Sequence, residues 1–182
     1  MRHEFTARHL NVAAFAHDAG HLVGDEPFGQ FTRLLEETGG EGAERRVSFS
    51  ARGEIRPSKA LGEEAWLHLA AQANLPLTCQ RCLSPVDVPV AFARDFRFVA
   101  TEELAAQEDE TSEEDVLVLH RSFNLLELVE DELIMAMPGA PMHQTCPHAV
   151  KTEARDPDFV DEEAAKPNPF AVLGQLKKKG AS

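Results

Sequence analysis

The stretch from Ala65 to Phe98, AWLHLAAQANLPLTCQRCLSPVDVPVAFARDFRF, decides the architecture. In its first half Ala65, Leu67, Leu69, Ala71, Ala73, Leu75 and Leu77 share one parity, while His68, Gln72 and Asn74 take the other. A period of two places successive side chains on opposite faces of a strand; a helix needs apolar positions three and four apart. Alanine is a poor strand former, so the alternation carries this reading and propensity does not. Cys79-Gln80-Arg81-Cys82 follows, closed by Ser84-Pro85, and then Val86, Val88, Val90, Phe92, Phe96 and Phe98 alternate again. Strand, tight turn and strand make a hairpin, which is an antiparallel pair, and its tip carries two thiols.

Toward the N-terminus, Val47, Phe49, Ala51 and Ile55 alternate with Ser48, Ser50, Arg52 and Glu54, which gives a further half-buried strand before a turn over Pro57 to Gly62. Phe28, Phe31, Leu34 and Leu35 recur at helical spacing and Gly39-Gly40 stops them, so a short amphipathic helix is expected there. Residues 1–27 are of mixed polarity and read as an extended lead-in. Toward the C-terminus, residues 102–115 hold eight acidic side chains and few large apolar ones, the composition of a solvated loop. Val116 to Leu119 form a short strand. Asn124 through Met137 is the clearest helix: Asn124 can cap it, Glu127 takes the capping-box place, and Leu126, Val129, Leu133 and Met137 make an apolar stripe. Glu127, Glu130, Asp131 and Glu132 read as its solvated acidic face. Pro138-Gly139 ends it.

The chain has 182 residues, of which 43% are hydrophobic, enough for a core within one domain and its tails. A net charge of −13 opposes non-specific binding of nucleic acid over the whole surface, because such binding needs Lys and Arg to neutralise phosphates. No apolar run reaches the roughly eighteen residues of a membrane span, and Met1-Arg2-His3-Glu4-Phe5 does not begin a secretory signal. Three cysteines, an odd number, fit a reduced cytoplasm better than a disulfide framework.

Cys79 and Cys82 are spaced to bite one tetrahedral zinc ion. Two further ligands are needed. Cys146 is the remaining cysteine, and His143 and His148 flank it in Pro141-Met-His-Gln-Thr-Cys-Pro-His. A site of Cys79, Cys82, His143 and Cys146 would tie the hairpin tip to the segment after the long helix, with the two hairpin sulfurs within about 4 Å of each other. The same spacing also suits metal-free cysteines that close a turn, or a redox pair. The redox pair would need its first thiol at a helix N-terminus, and strand-like residues lie on both sides here. No G-x-S-x-G, Walker A, G-x-G-x-x-G or H-E-x-x-H motif occurs. His68 lies opposite the leucines and reads as a surface or packed residue. With no Tyr and a single Trp, Trp66, a base-stacking platform is thin.

Three blocks together resemble the YceD family of bacterial ribosomal RNA accumulation proteins. They are Leu77-Thr-Cys-Gln-Arg-Cys-Leu; then Leu125-Leu-Glu-Leu-Val-Glu-Asp-Glu-Leu-Ile, continuing through Pro138, Pro141 and His143 to Cys146; and then Lys166-Pro-Asn-Pro-Phe-Ala-Val-Leu with Leu176-Lys177. The resemblance spans residues 45–179 and implies a cytoplasmic factor that supports synthesis, processing or accumulation of 23S ribosomal RNA, with no known reaction. It also implies that Cys79, Cys82, His143 and Cys146 are characteristic positions.

The expected fold is α+β: an antiparallel sheet that can curl toward a barrel, with the 124–137 helix packed on it and extended termini. The expected organisation is a lead-in and short helix over residues 1–44, a core domain over 45–150, and a tail over 151–182 with a short helix from Pro169. Zn²⁺ is the one cofactor expected. The expected partner is a large-subunit precursor, met through 23S rRNA or a ribosomal protein and not through a membrane. Its contacts are expected at Arg81 on the hairpin tip and at Phe170, Lys177, Lys178 and Lys179 near the C-terminus. The competing reading is a metal- or thiol-dependent enzyme of RNA processing.

Overall fold

A computed structural model describes residues 4–58, 62–109, 112 and 114–149. The tail expected over 151–182, with its helix and the candidate contacts Phe170, Lys177, Lys178 and Lys179, lies outside the described residues. The fold is α+β. Helix α1 (Val12–His17) leads into strand β1 (His21–Pro27); a 3-10 turn at Phe28–Gln30 precedes α2 (Thr32–Glu37); then come β2 (Arg46–Ser58), β3 (Gly62–Thr78), β4 (Pro85–Val99), α3 (Glu102–Asp109), β5 (Asp115–Val118) and α4 (Leu125–Met135). The strands form one open sheet in the order β1-β2-β3-β4-β5. The first four pair antiparallel in sequence, and β5 joins β4 in parallel, Phe96 facing Asp115 and Val99 facing Val118.

The alternation read from the sequence is the alternation observed. On one face Val47, Phe49 and Ala51 of β2, Leu67, Leu69 and Leu75 of β3, and Val90, Phe96 and Phe98 of β4 are buried. Leu10, Val12, Phe15, Leu34, Leu125, Val129 and Leu133 join them in the same core. Each fully buried Leu or Phe contributes about 1.5–3 kcal/mol. The other face carries Ser48, Ser50, Arg52, Gln72, Asn74 and Ala91, all exposed or half-buried.

Residues 12–27, expected as an extended lead-in, instead form α1 and β1. The Asn11 side chain accepts from the Ala14 N–H and starts a helix of six residues, too short to show periodicity. Gly53 allows α1 to lie against β2: a Cβ there would sit 2.6 Å from the Phe15 carbonyl oxygen and 2.7 Å from the Ala16 Cα. Those are backbone atoms and cannot swing aside. Gly53→Ala is therefore expected to lower stability by about 1–3 kcal/mol, as overpacking does. A urea midpoint equal to wild type would show that α1 is not seated there.

The acidic run expected as a loop instead begins with α3, started by Thr101, whose hydroxyl accepts from the Leu104 N–H. Glu102 and Glu103 lie in the first turn, where carboxylates favour the helix dipole. Ala105 is buried, and Glu108 meets Arg97 of β4. The face of α4 expected to be wholly solvated is not: Glu130 and Glu132 are buried. Glu130 accepts from the N–H groups of Arg33 at 2.8 Å and Leu34 at 3.1 Å, and from the Arg33 guanidinium. It thus caps α2, whose own cap position, Phe31, has no side-chain acceptor. Glu132 pairs with Arg94 at 3.3 Å, and burial pushes its carboxyl above the ordinary range.

Candidate metal centre at the hairpin tip

Strand β3 ends at Thr78 and β4 starts at Pro85, so residues 79–84 make the turn. The Cys79 N–H donates to the Ser84 carbonyl at 3.0 Å and the Leu83 N–H to the Cys79 carbonyl at 2.8 Å. Leu83 closes the turn with a φ of 58°, in the left-handed region that costs a branched side chain roughly 1–2 kcal/mol. That backbone brings Cys79 and Cys82 to the same side. The segment after α4 returns to the tip, held by the Gln80 N–H on the Pro141 carbonyl at 2.8 Å, and delivers His143 and Cys146.

The ligand atoms of Cys79, Cys82, His143 and Cys146 all lie within 4.8 Å of one another. The Cys79 and Cys146 sulfurs are 4.0 Å apart, and the Cys82 sulfur is 3.4 Å from His143 Nδ1. A tetrahedral zinc ion about 2.3 Å from sulfur and 2.0–2.1 Å from nitrogen sets such edges at roughly 3.5–3.8 Å, a range that the 4.0 Å and 3.4 Å separations bracket. His148, the other flanking histidine, is exposed and stands outside this group. Cys79 is fully buried and the other three are partly covered.

The electrostatics favour thiolates at Cys79 and Cys82. Burial opposes a thiolate at Cys79, yet the N–H groups of His143, Cys82 and Arg81, with the His143 ring, outweigh it and bring the thiol down to about 5. Burial also works against the Cys82 thiolate, and the Ser84 N–H brings it down nonetheless. His143 is raised by its hydrogen bonds to the Cys79 and Cys82 sulfurs. Burial raises the Cys146 thiol, and Arg81 opposes that rise.

Arg81, the residue between the two hairpin cysteines, turns its guanidinium onto the cluster: Nε donates to the Cys146 sulfur at 3.0 Å and Nη2 to the His143 carbonyl at 2.8 Å. Position between two cysteines is the only sequence signal for that role. His68 lies elsewhere, on the outer sheet face, with Nε2 2.6 Å from Glu54 and Nδ1 against Asp95. Arg56 covers Trp66 next to it, 4.1 Å above the ring.

The fold and the cluster define a single-sheet α+β protein with a cysteine–histidine centre at the tip of its longest hairpin. A family model described as large ribosomal RNA subunit accumulation protein YceD matches residues 67–177. The chain belongs to the YceD family. A Haemophilus influenzae protein named large ribosomal RNA subunit accumulation protein YceD is 36% identical over 109 residues, covering 59% of this chain and 63% of that protein. The match thus spans less than two thirds of that relative's length. No solved structure matches the chain.

Proposed function

We propose that this chain is a non-catalytic cytoplasmic factor that supports synthesis, processing or accumulation of 23S ribosomal RNA during assembly of the large ribosomal subunit. The observation that carries the reading is the family match over residues 67–177, which includes the hairpin, the cluster and α4. Among the described residues no helix is long and apolar enough to cross a membrane. In this reading Cys79, Cys82, His143 and Cys146 hold one structural Zn²⁺ that staples the segment after α4 to the hairpin.

The competing reading, a thiol- or metal-dependent enzyme, draws on the low Cys79 thiol. Two features speak against it. Cys79 is fully buried, so no substrate reaches its sulfur. On the outer sheet face, His68 has both ring nitrogens committed to carboxylates, which leaves it poorly placed to act as a base for RNA cleavage. Purified protein added alone to precursor rRNA is expected to leave it intact; specific cleavage would establish the enzyme.

The partner is a large-subunit precursor, met through its RNA or a ribosomal protein. Two separate contacts are proposed: the hairpin tip, where Arg81 sits, and the C-terminal residues Phe170, Lys177, Lys178 and Lys179. The lysines would meet phosphate while Phe170 docks. Removing residues 166–182 is expected to weaken co-sedimentation with large-subunit precursors, and to flatten its salt dependence by roughly one log–log unit for each phosphate no longer neutralised. Wild-type co-sedimentation at two salt concentrations would remove the tail from the interface and favour an acidic surface that binds a basic ribosomal protein.

A further inference from the structure

We infer that Arg81 is a positioning residue for the metal centre: its guanidinium grips the sulfur of one ligand, Cys146, and the backbone of another, His143. The inference rests on the metal reading above and deepens it. Three thiolates and a neutral imidazole around a divalent ion leave one net negative charge, and at a partly buried site that charge needs a nearby cation. Arg81 supplies it in contact with the cluster. Because Arg81 stands between Cys79 and Cys82, the turn that delivers two of the sulfurs delivers the cation too.

The contact has the geometry of the guanidinium fork. Nε is 3.0 Å from the Cys146 sulfur, while Nη2 is 2.8 Å from the His143 carbonyl and 3.4 Å from that of Gln144. A metal-bound thiolate keeps lone pairs and still accepts such a hydrogen bond. Adjacent donors on one rigid plane can serve sulfur and carbonyl together, which a lysine ammonium on a flexible stem cannot do in the same geometry. Arg81 therefore holds both ligands of the returning segment, His143 through its backbone and Cys146 through its sulfur. Groups that orient metal ligands in this way commonly change affinity by about 10–100-fold when removed.

The test uses the full-length protein, loaded with zinc or with cobalt(II). Zinc affinity is read by competition with a chromophoric chelator, and the sulfur-to-cobalt charge-transfer band by absorption. Arg81→Met is expected to weaken zinc binding by about 10–100-fold, to move the cobalt band to lower energy because the sulfur loses a donor, and to speed alkylation of Cys146 in the loaded protein. Arg81→Lys should recover part of the affinity, and it provides the same spectral reading if Arg81→Met folds poorly. A cobalt band unmoved in both variants overturns the sulfur contact, and a zinc affinity equal to wild type overturns the positioning role. In either case a wild type that takes up zinc leaves the metal reading standing. A wild type that takes up neither ion overturns both.

Discussion

Cys79→Ser is expected to abolish stoichiometric zinc and to melt well below the wild type. The wild type, purified without a tag, should carry one zinc ion per chain by elemental analysis, and a strong chelator should bring its melting down to that of the variant. The size follows from linkage. A ligand that binds only the folded state at a thousand times its dissociation constant stabilises it by about 4 kcal/mol, which for a chain of this size is roughly 10 °C in melting temperature. Cys79 should show the largest effect of the three cysteines, because it alone is fully buried. Protein with no zinc, and with melting indifferent to chelator, would mean that the cysteines only close the turn.

Glu130→Ala should cost nearly as much, without any metal. The Glu130 carboxylate receives two backbone N–H groups of α2 and the Arg33 guanidinium, and it is 7% exposed. Its removal strands those donors beside the fully buried Leu34. Losing one partner of a buried charged network costs about 3–5 kcal/mol, and the half-exposed Arg33 places this case near the lower bound. Glu130→Gln keeps an acceptor for the backbone and should lose roughly 1–2 kcal/mol. Asp131→Asn, next to it but half-exposed, should stay within about 0.5 kcal/mol. Urea denaturation of the three variants reads the order directly; equal losses at positions 130 and 131 would show that α2 does not depend on its borrowed cap.

The central hairpin and β2 are legible because each has one buried and one wetter face, and that asymmetry is written into the sequence at period two. The cluster is legible for a different reason: cysteine has few uses, and three of them with a nearby histidine leave few arrangements. Other features leave no such trace. Helix α1 and strand β1 are each under two turns or eight residues long and take their stability from what they touch, as Gly53 beneath α1 illustrates. The acidic run of α3 has the composition of a loop, and its anchor, Arg97, lies on a different element. Glu130 and Glu132 look like any surface carboxylates until Arg33 and Arg94 are brought to them through space. Arg81 shows the same limit, since nothing in a four-residue motif says which way its middle residues turn.

The strand order has a consequence for the chain as it leaves the ribosome. Strands β1 to β4 pair in the order in which they are made, so each new strand finds its neighbour already present. The closing pieces come late and reach far back. Phe123 bridges to Leu10, Glu130 caps the helix at Arg33, and Cys146 meets Cys79. Until α4 emerges, the meander has an apolar face with only the N-terminal helices to cover it, and until residue 146 emerges the thiols at its tip lack their last companion. Loop closures of that span are slow compared with local pairing. A nascent chain of this protein therefore passes through a stage with its first four strands paired and its three sulfurs not yet gathered.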